Sequence, residues 1–245
     1  MRQYLNEINR ALARTANPKD AEYKNFRQKT TKLPVLGHRL PVLHKILKNG
    51  FSFFNKSDAE ILNIWNYIFL NAKTHEAMYL PLLYYAKHVG VQYIEPQPKQ
   101  QWQKFRFWVE RIENWEHSDF YSKIVSFLLE KHPRLIWPTI KKWNKSNNPW
   151  KQRNSIVPLI YYASPKRKPP PVQKILPLVE NLLESRDPYV QKAVGWTLRE
   201  CGKVYPKETF VFLTLHARKL SATSWSYATE KISTKQKAYL RRKRK

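Results

Sequence analysis

The stretch AEILNIWNYIFLNA, Ala59 to Ala72, decides the fold class. Its apolar residues recur every three or four positions, the spacing that lines one face of an α-helix. EAMYLPLLYYAKHV (Glu76 to Val89) repeats the pattern, as do Lys99–Trp115, Asp119–His132, Pro133–Trp143 and Trp150–Ala163. Val172–Glu184, Pro188–Val204 and Lys207–Leu220 complete the run, and strict two-residue alternation is nowhere sustained. The expected fold is therefore all-α, with no sheet.

The connectors support this reading. Ser57-Asp58 and Ser118-Asp119 are placed to cap helix N-termini. Pro133, Pro149, Pro188 and Pro206 sit where proline suits a first helical turn, because the N–H it lacks has no partner there. Pro81 and Pro158 fall inside apolar runs and are expected to kink their helices. Helices arrive in pairs of about forty residues, the spacing of HEAT-like repeats. That predicts a helical-repeat solenoid with a concave face over residues 1–232, followed by a basic, flexible tail over 233–245.

Charge narrows the function. Lys and Arg number 45 against 18 Asp and Glu, a formal net charge of +27 over 245 residues. With 42% hydrophobic and 14% aromatic residues the chain has enough to build a core and is not a disordered basic protein. A folded chain with that excess suits a polyanion, since each cation docked on a phosphate releases condensed counterions. Nucleic acid leads and an acidic membrane surface trails. Five Gly leave little room for glycine-rich phosphate loops. One cysteine, Cys201, excludes a disulfide framework within the chain and a thiolate zinc site. The seven histidines are scattered without metal-ligand spacing. MRQYLNEINRALART has no apolar signal core, and no stretch approaches a membrane span, so the expected location is the cytoplasm.

Four residues form a pattern that core packing does not require. Trp115 and Asp119, in NWEHSD, are four positions apart and share a helix face. Arg153 follows Trp150 in NPWKQRNS, and Trp196 lies within VQKAVGWTLRE. Asp119, Arg153 and Trp196 are each about one repeat apart, which in a solenoid puts them along one surface. Each is equally readable alone as something plainer: the tryptophans as core, Asp119 as an N-cap, Arg153 as a solvated charge.

The chain resembles the AlkD-type DNA alkylation-repair glycosylases, which are built from HEAT-like repeats. The similarity is densest from Asn114 to about Ile232. It is carried by the W-x-x-x-D of Trp115 and Asp119, by KHPRLIWPTIKKWNKSNNPWKQRNS around Arg153, and by VQKAVGWTLRE around Trp196. TTKLPVLGHRLPVLHKIL (Thr30 to Leu47) is similar to the family's first conserved helix entry. The resemblance implies hydrolysis of the N-glycosidic bond of N3- or N7-alkylated purines in duplex DNA, without obligatory base flipping. It implies that Asp119 is the catalytic carboxylate, that Trp115 and Trp196 pack against the lesion's deoxyribose and backbone, and that Arg153 holds the nearby phosphate. Tyr189 resembles an aromatic position that lies beside the DNA in relatives, and Lys192, Lys151 and Trp150 lie in the same resembling segments as expected DNA contacts. No metal or cofactor and no obligate protein partner is implied, and the expected state is a monomer on double-stranded DNA.

Two alternatives stay open at this stage. One is a non-catalytic binder of branched or distorted DNA from the same superfamily; the other is a helical scaffold whose charge serves RNA or an acidic protein. Glu116 and His117 occupy the middle of the W-x-x-x-D segment, where small or acidic residues are expected; His117 is the departure, and it is expected at the surface.

Overall fold

A computed structural model describes residues 1–27, 29–88, 97–163 and 167–244. Among them every regular element is helical and no strand occurs, so the fold is all-α. No helix among the described residues is long and apolar enough to cross a membrane. The chain divides into two compact units, residues 1–124 and 125–245.

The first unit contains α1 (Arg2–Ala13), α2 (Pro18–Arg27), α3 (Leu40–Asn49), α4 (Asp58–Asn71), α5 (His75–Leu83), α6 (Pro98–Trp108) and the start of α7 (Trp115–Lys131). Ser57 caps α4 in a reciprocal box with Glu60, as its position suggested. Every residue of α5 is buried, and α1, α3 and α4 pack around it. A helix apolar or buried on all sides is a core element, not a surface one. Pro81 stands inside this helix; the α-helix stops at Leu83 and a wider π turn, Tyr84–His88, follows. Val89, the end of that apolar run, lies outside the described residues. Aromatic rings fill the remaining volume, with Phe69 stacked on Trp108 at 4.3 Å and Trp65 set edge-on to Phe53 at 5.1 Å.

One buried acid fastens this unit. The Glu76 carboxylate accepts backbone N–H bonds from Leu36 (2.9 Å), Gly37 (2.9 Å) and His38 (3.3 Å). Gly37 adopts φ +84°, and a Cβ there would lie 2.0 Å from the Asn17 carbonyl oxygen, so only glycine fits. This strap, Leu36–His38, lies within the Thr30–Leu47 segment singled out in the sequence, whose later part belongs to α3.

The second unit contains the rest of α7, then α8 (Pro133–Asn144), α9 (Pro149–Ile156), α10 (Val172–Glu180), α11 (Pro188–Val204), α12 (Pro206–Leu215), α13 (Ala222–Ala228) and α14 (Thr234–Arg244). Consecutive helices pack as pairs, α8 with α9 and α11 with α12, just as α4 packs with α5 in the first unit. Pro133, Pro149, Pro188 and Pro206 each occupy a first turn, as expected. α11 is the hub, touching α9, α10, α12 and α13.

Several boundaries differ from the sequence reading. Lys99–Trp115 is not one helix: α6 ends at Trp108, a 3₁₀ turn covers Val109–Arg111, and α7 begins at Trp115. Ser118-Asp119 is therefore not a cap; Asn114 is, its Oδ1 accepting from the His117 N–H at 2.9 Å. The Trp150–Ala163 helix gives way to a 3₁₀ segment from Val157: Val157 still keeps α dihedrals, but Pro158 has no N–H with which to continue the i→i−4 ladder. The Val172 and Lys207 helices end early, at Glu180 and Leu215. The basic C-terminal stretch, whose last residue lies outside the described set, has more to bury than its composition suggests: it forms α14, with Leu240 fully buried.

Where α11 meets α13 the backbones nearly touch. A Cβ on Gly195 would lie 2.6 Å from the Ser224 carbonyl oxygen and from Tyr227 Cβ. Gly195→Ala is expected to lower stability by about 1–3 kcal/mol despite alanine's better helix propensity. An unchanged urea midpoint would show that the helices can separate at no cost.

Candidate functional site

The first group of candidate residues stands on the opening turns of α7. His117, Ser118, Tyr121 and Ser122 face inward and are buried, whereas Trp115, Asp119 and Lys123, one turn apart in succession, are partly exposed. Trp115 and Asp119 thus share the outer stripe of the helix. The inner stripe is anchored: the Tyr121 hydroxyl donates to the Phe105 carbonyl at 2.8 Å.

His117 is not at the surface; it is fully buried. Its Nε2 lies 3.1 Å from the His75 carbonyl oxygen, which can only accept, so Nε2 carries the proton. Its Nδ1 then accepts from the Asn114 side-chain amide at 3.0 Å. Burial above all, with neighbouring His75 next, keeps its pKa well below the ordinary value, so the ring is neutral. The His75 and His117 rings stack at 4.3 Å. This histidine replaces a surface role with a positional one, tying the first turn of α7 to the start of α5. Glu116 reaches Lys24 Nζ at 3.5 Å and His75 Nε2 at 3.4 Å.

Trp115 borders a cavity of about 470 Å³ whose walls include Tyr23, Arg27 and Leu40. The Arg27 guanidinium lies 5.2 Å from the centre of the Trp115 ring. These α2 residues were not singled out in the sequence. The signal was there in PKDAEYKNFR, where aromatic Tyr23 and Phe26 interleave with Lys24 and Arg27, and both aromatics prove exposed (60% and 72%).

The second group is on α9 and α11. Arg153 is buried, not solvated. Its Nη1 donates to the Tyr189 carbonyl at 2.8 Å, and its guanidinium lies 5.9 Å from the Trp196 ring centre. The Trp150 and Tyr189 rings meet at 5.2 Å, and Lys192 Nζ sits 5.3 Å from the Tyr189 ring. Asn148 and Asp187 cap the two helices, each accepting two backbone N–H bonds. Arg153, Trp150, Tyr189, Lys192 and Trp196 are therefore one connected cluster; Lys151 stands partly exposed on α9. Among the described residues no group of His, Cys, Asp or Glu is arranged to hold a metal ion.

The family model for DNA alkylation repair enzymes matches residues 8–232 and so takes in both groups. The chain belongs to the DNA alkylation repair enzyme family. A solved structure described as a predicted DNA alkylation repair enzyme from Enterococcus faecalis superposes with a TM-score of 0.73 at 17% identity, covering 89% of this chain and 97% of that one. At that identity the likeness concerns the fold, the helical-repeat fold of these repair enzymes. No curated protein matches the chain. As a family member the chain acts in repair of alkylation damage, with DNA as its substrate.

The buried ionisable groups of this repair enzyme make its stability depend on acid. Burial first, and Lys24 next, lower the His75 pKa to about 4. Burial opposes ionisation of Glu76, but His38, His75, the Leu36 amide and Lys24 outweigh it and lower its pKa to about 2. In both cases the unfolded state takes up protons first, so stability falls as pH drops, from about 6.5 toward 4 for His75 and from about 4.5 toward 2 for Glu76. Urea denaturation at pH 7 and pH 4.5 should show a loss of about 2 kcal/mol from His75, and His75→Gln should make that limb shallower, the remainder coming from buried His117. An equal pH dependence in the variant would remove His75 from the account.

Proposed function

We propose that the chain is a monofunctional DNA glycosylase that hydrolyses the N-glycosidic bond of cationic N3- and N7-alkylated purines in duplex DNA. The observation that carries this reading is the outer stripe of α7, where a partly exposed carboxylate, Asp119, follows a partly exposed indole, Trp115, by one turn.

Alkylation at N3 or N7 makes the purine a cation, so it departs with the bonding pair as a neutral base and needs no general acid. The charge left behind develops on the sugar as an oxocarbenium ion. Asp119 stabilises that charge and orients the water that attacks C1′, much as a carboxylate does in glycoside hydrolysis. An indole face beside the sugar adds about 0.5–2 kcal/mol where cation–π values apply. Trp115 already holds a cation, Arg27, over its ring, the same interaction the reading asks of it. Trp196 is assigned to the deoxyribose and backbone, and Arg153 to a phosphate, with Tyr189, Trp150, Lys151 and Lys192 as further DNA contacts. The electrostatic hold on the backbone comes from the net charge of +27. Reading the lesion through its sugar and charge makes base flipping dispensable. No metal or cofactor enters this chemistry, and a monomer acting on cytoplasmic, nucleoid DNA suffices.

Purified protein is expected to release 7-methylguanine or 3-methyladenine from methylated duplex DNA. Asp119→Asn should slow release by at least about 10²-fold, the scale for losing a preorganised charge stabiliser, while DNA affinity changes little. Wild-type protein that binds DNA yet releases no base would refute the enzyme reading.

A further inference from the structure

The C-terminal helix α14 lies beyond the family match, which ends at residue 232. Its sequence, TKQKAYLRRKR, is one of the most basic in the chain, and no acidic residue occurs from Lys231 to Lys245. It is nonetheless a built helix. Ser233 and Gln236 cap it reciprocally, the Gln236 N–H donating to Ser233 Oγ at 3.3 Å and the Ser233 N–H to Gln236 Oε1 at 3.3 Å. Leu240 is fully buried, Tyr239 meets Phe210 at 5.9 Å, and Arg244 donates to the Leu220 carbonyl at 3.1 Å with its guanidinium 4.8 Å from the Trp225 ring centre.

Helix stability accounts for only some of its charges, among them Lys243, whose Nζ lies 5.7 Å from the Tyr239 ring centre. Cations in the last turn complement the negative end of the helix dipole, which explains part of the Arg241–Arg244 run. Lys235 and Lys237 stand at the opposite end, where the dipole disfavours them and acids are preferred; the first turn holds no acid. Even the capping box uses neutral Gln236 where Glu serves equally well. Lys237 and Arg241 are a like-charged pair one turn apart, which opposes helix formation. None of the ion pairs among the described residues involves Lys235, Lys237, Arg241, Arg242 or Lys243. Lys235, Arg241, Arg242 and Lys243 are exposed. On a helical period Lys235 and Arg242 lie opposite Leu240, away from the face that docks, and Arg241 stands exposed to the side.

We propose that α14 is a second, preordered phosphate-binding surface, docked on the second unit through Leu240, Tyr239 and Arg244, that grips the backbone of duplex DNA outside the lesion site. A membrane surface fits less well, because a helix lying in lipid needs a broad outward apolar face, and beyond the buried Leu240 α14 offers only Ala238 and the half-exposed Tyr239, which packs on Phe210. The proposal rests on DNA as the substrate of the family and not on the chemistry assigned to Asp119. It is therefore read on undamaged duplex, so that a chain releasing no base leaves the test intact.

The test measures binding to a 30-base-pair duplex across a salt series for wild type, for the fourfold variant Lys235→Gln, Arg241→Gln, Arg242→Gln and Lys243→Gln, and for Leu240→Gln. Each lost phosphate contact reduces the slope of log K against log salt by about 0.9, so the fourfold variant should lose about two to four units of slope and bind at least tenfold more weakly near 0.1 M salt. Its substitutions are all on exposed positions, so the fold should survive. Leu240→Gln keeps every charge but undocks the helix, and should weaken binding at least threefold. An unchanged slope in the fourfold variant overturns the proposal, and wild-type affinity in Leu240→Gln overturns the docked arrangement. Vesicles of phosphatidylserine supply the other arm: charge-dependent vesicle binding with an intact DNA slope would assign the surface to membranes instead.

Discussion

His117 donates from Nε2 to the His75 carbonyl, and the direction in which α7 presents its side chains follows from that bond. The ring is buried and neutral, and its second nitrogen is satisfied by the residue that caps the helix. Cap, ring and carbonyl therefore set the helix's first turn as one unit. With His117, Ser118 and Tyr121 turned inward, the helical period leaves only one place for Trp115 and Asp119, the outer stripe. Buried polar groups are costly unless every partner is supplied, so this arrangement tolerates few alternatives.

Charge acts on two scales in this chain. The net +27 provides attraction to DNA that is long-ranged only up to the Debye length, about 8–10 Å at ordinary salt, and indifferent to sequence. It is no help with a cationic lesion or a cationic transition state, both of which it repels. A local carboxylate is required for that, and a carboxylate beside an indole combines a formal charge with an electron-rich face. The proposed division of labour is between cations that hold the backbone and one acid that selects the reacting sugar.

The all-helical fold was legible because its signals are local. Four prolines mark four helix starts, and Ser57 and Glu60 write a capping box in four residues. The pairing of Trp115 with Asp119 on one face follows from spacing alone. What stayed hidden depends on tertiary surroundings. A histidine in a polar segment reads as exposed until a partner carbonyl 42 residues away is known. Ser118-Asp119 imitates a cap because Asn114, the true cap, belongs to the same class of residue. α2 buries no residue fully and so lacks the apolar stripe that reveals a helix, although it lines the cavity beside Trp115. The docking of α14 turns on Leu240, its one buried residue, in a segment dominated by cations.

The most direct test of the central claim compares leaving groups. Single-turnover release is measured from duplexes identical except for one base, either cationic N7-methylguanine or its neutral parent guanine. If Asp119 stabilises a cationic sugar and nothing protonates the departing base, only the cationic purine is released at an appreciable rate. Comparable release of the neutral base would require an acid that this account does not contain, and would contradict it.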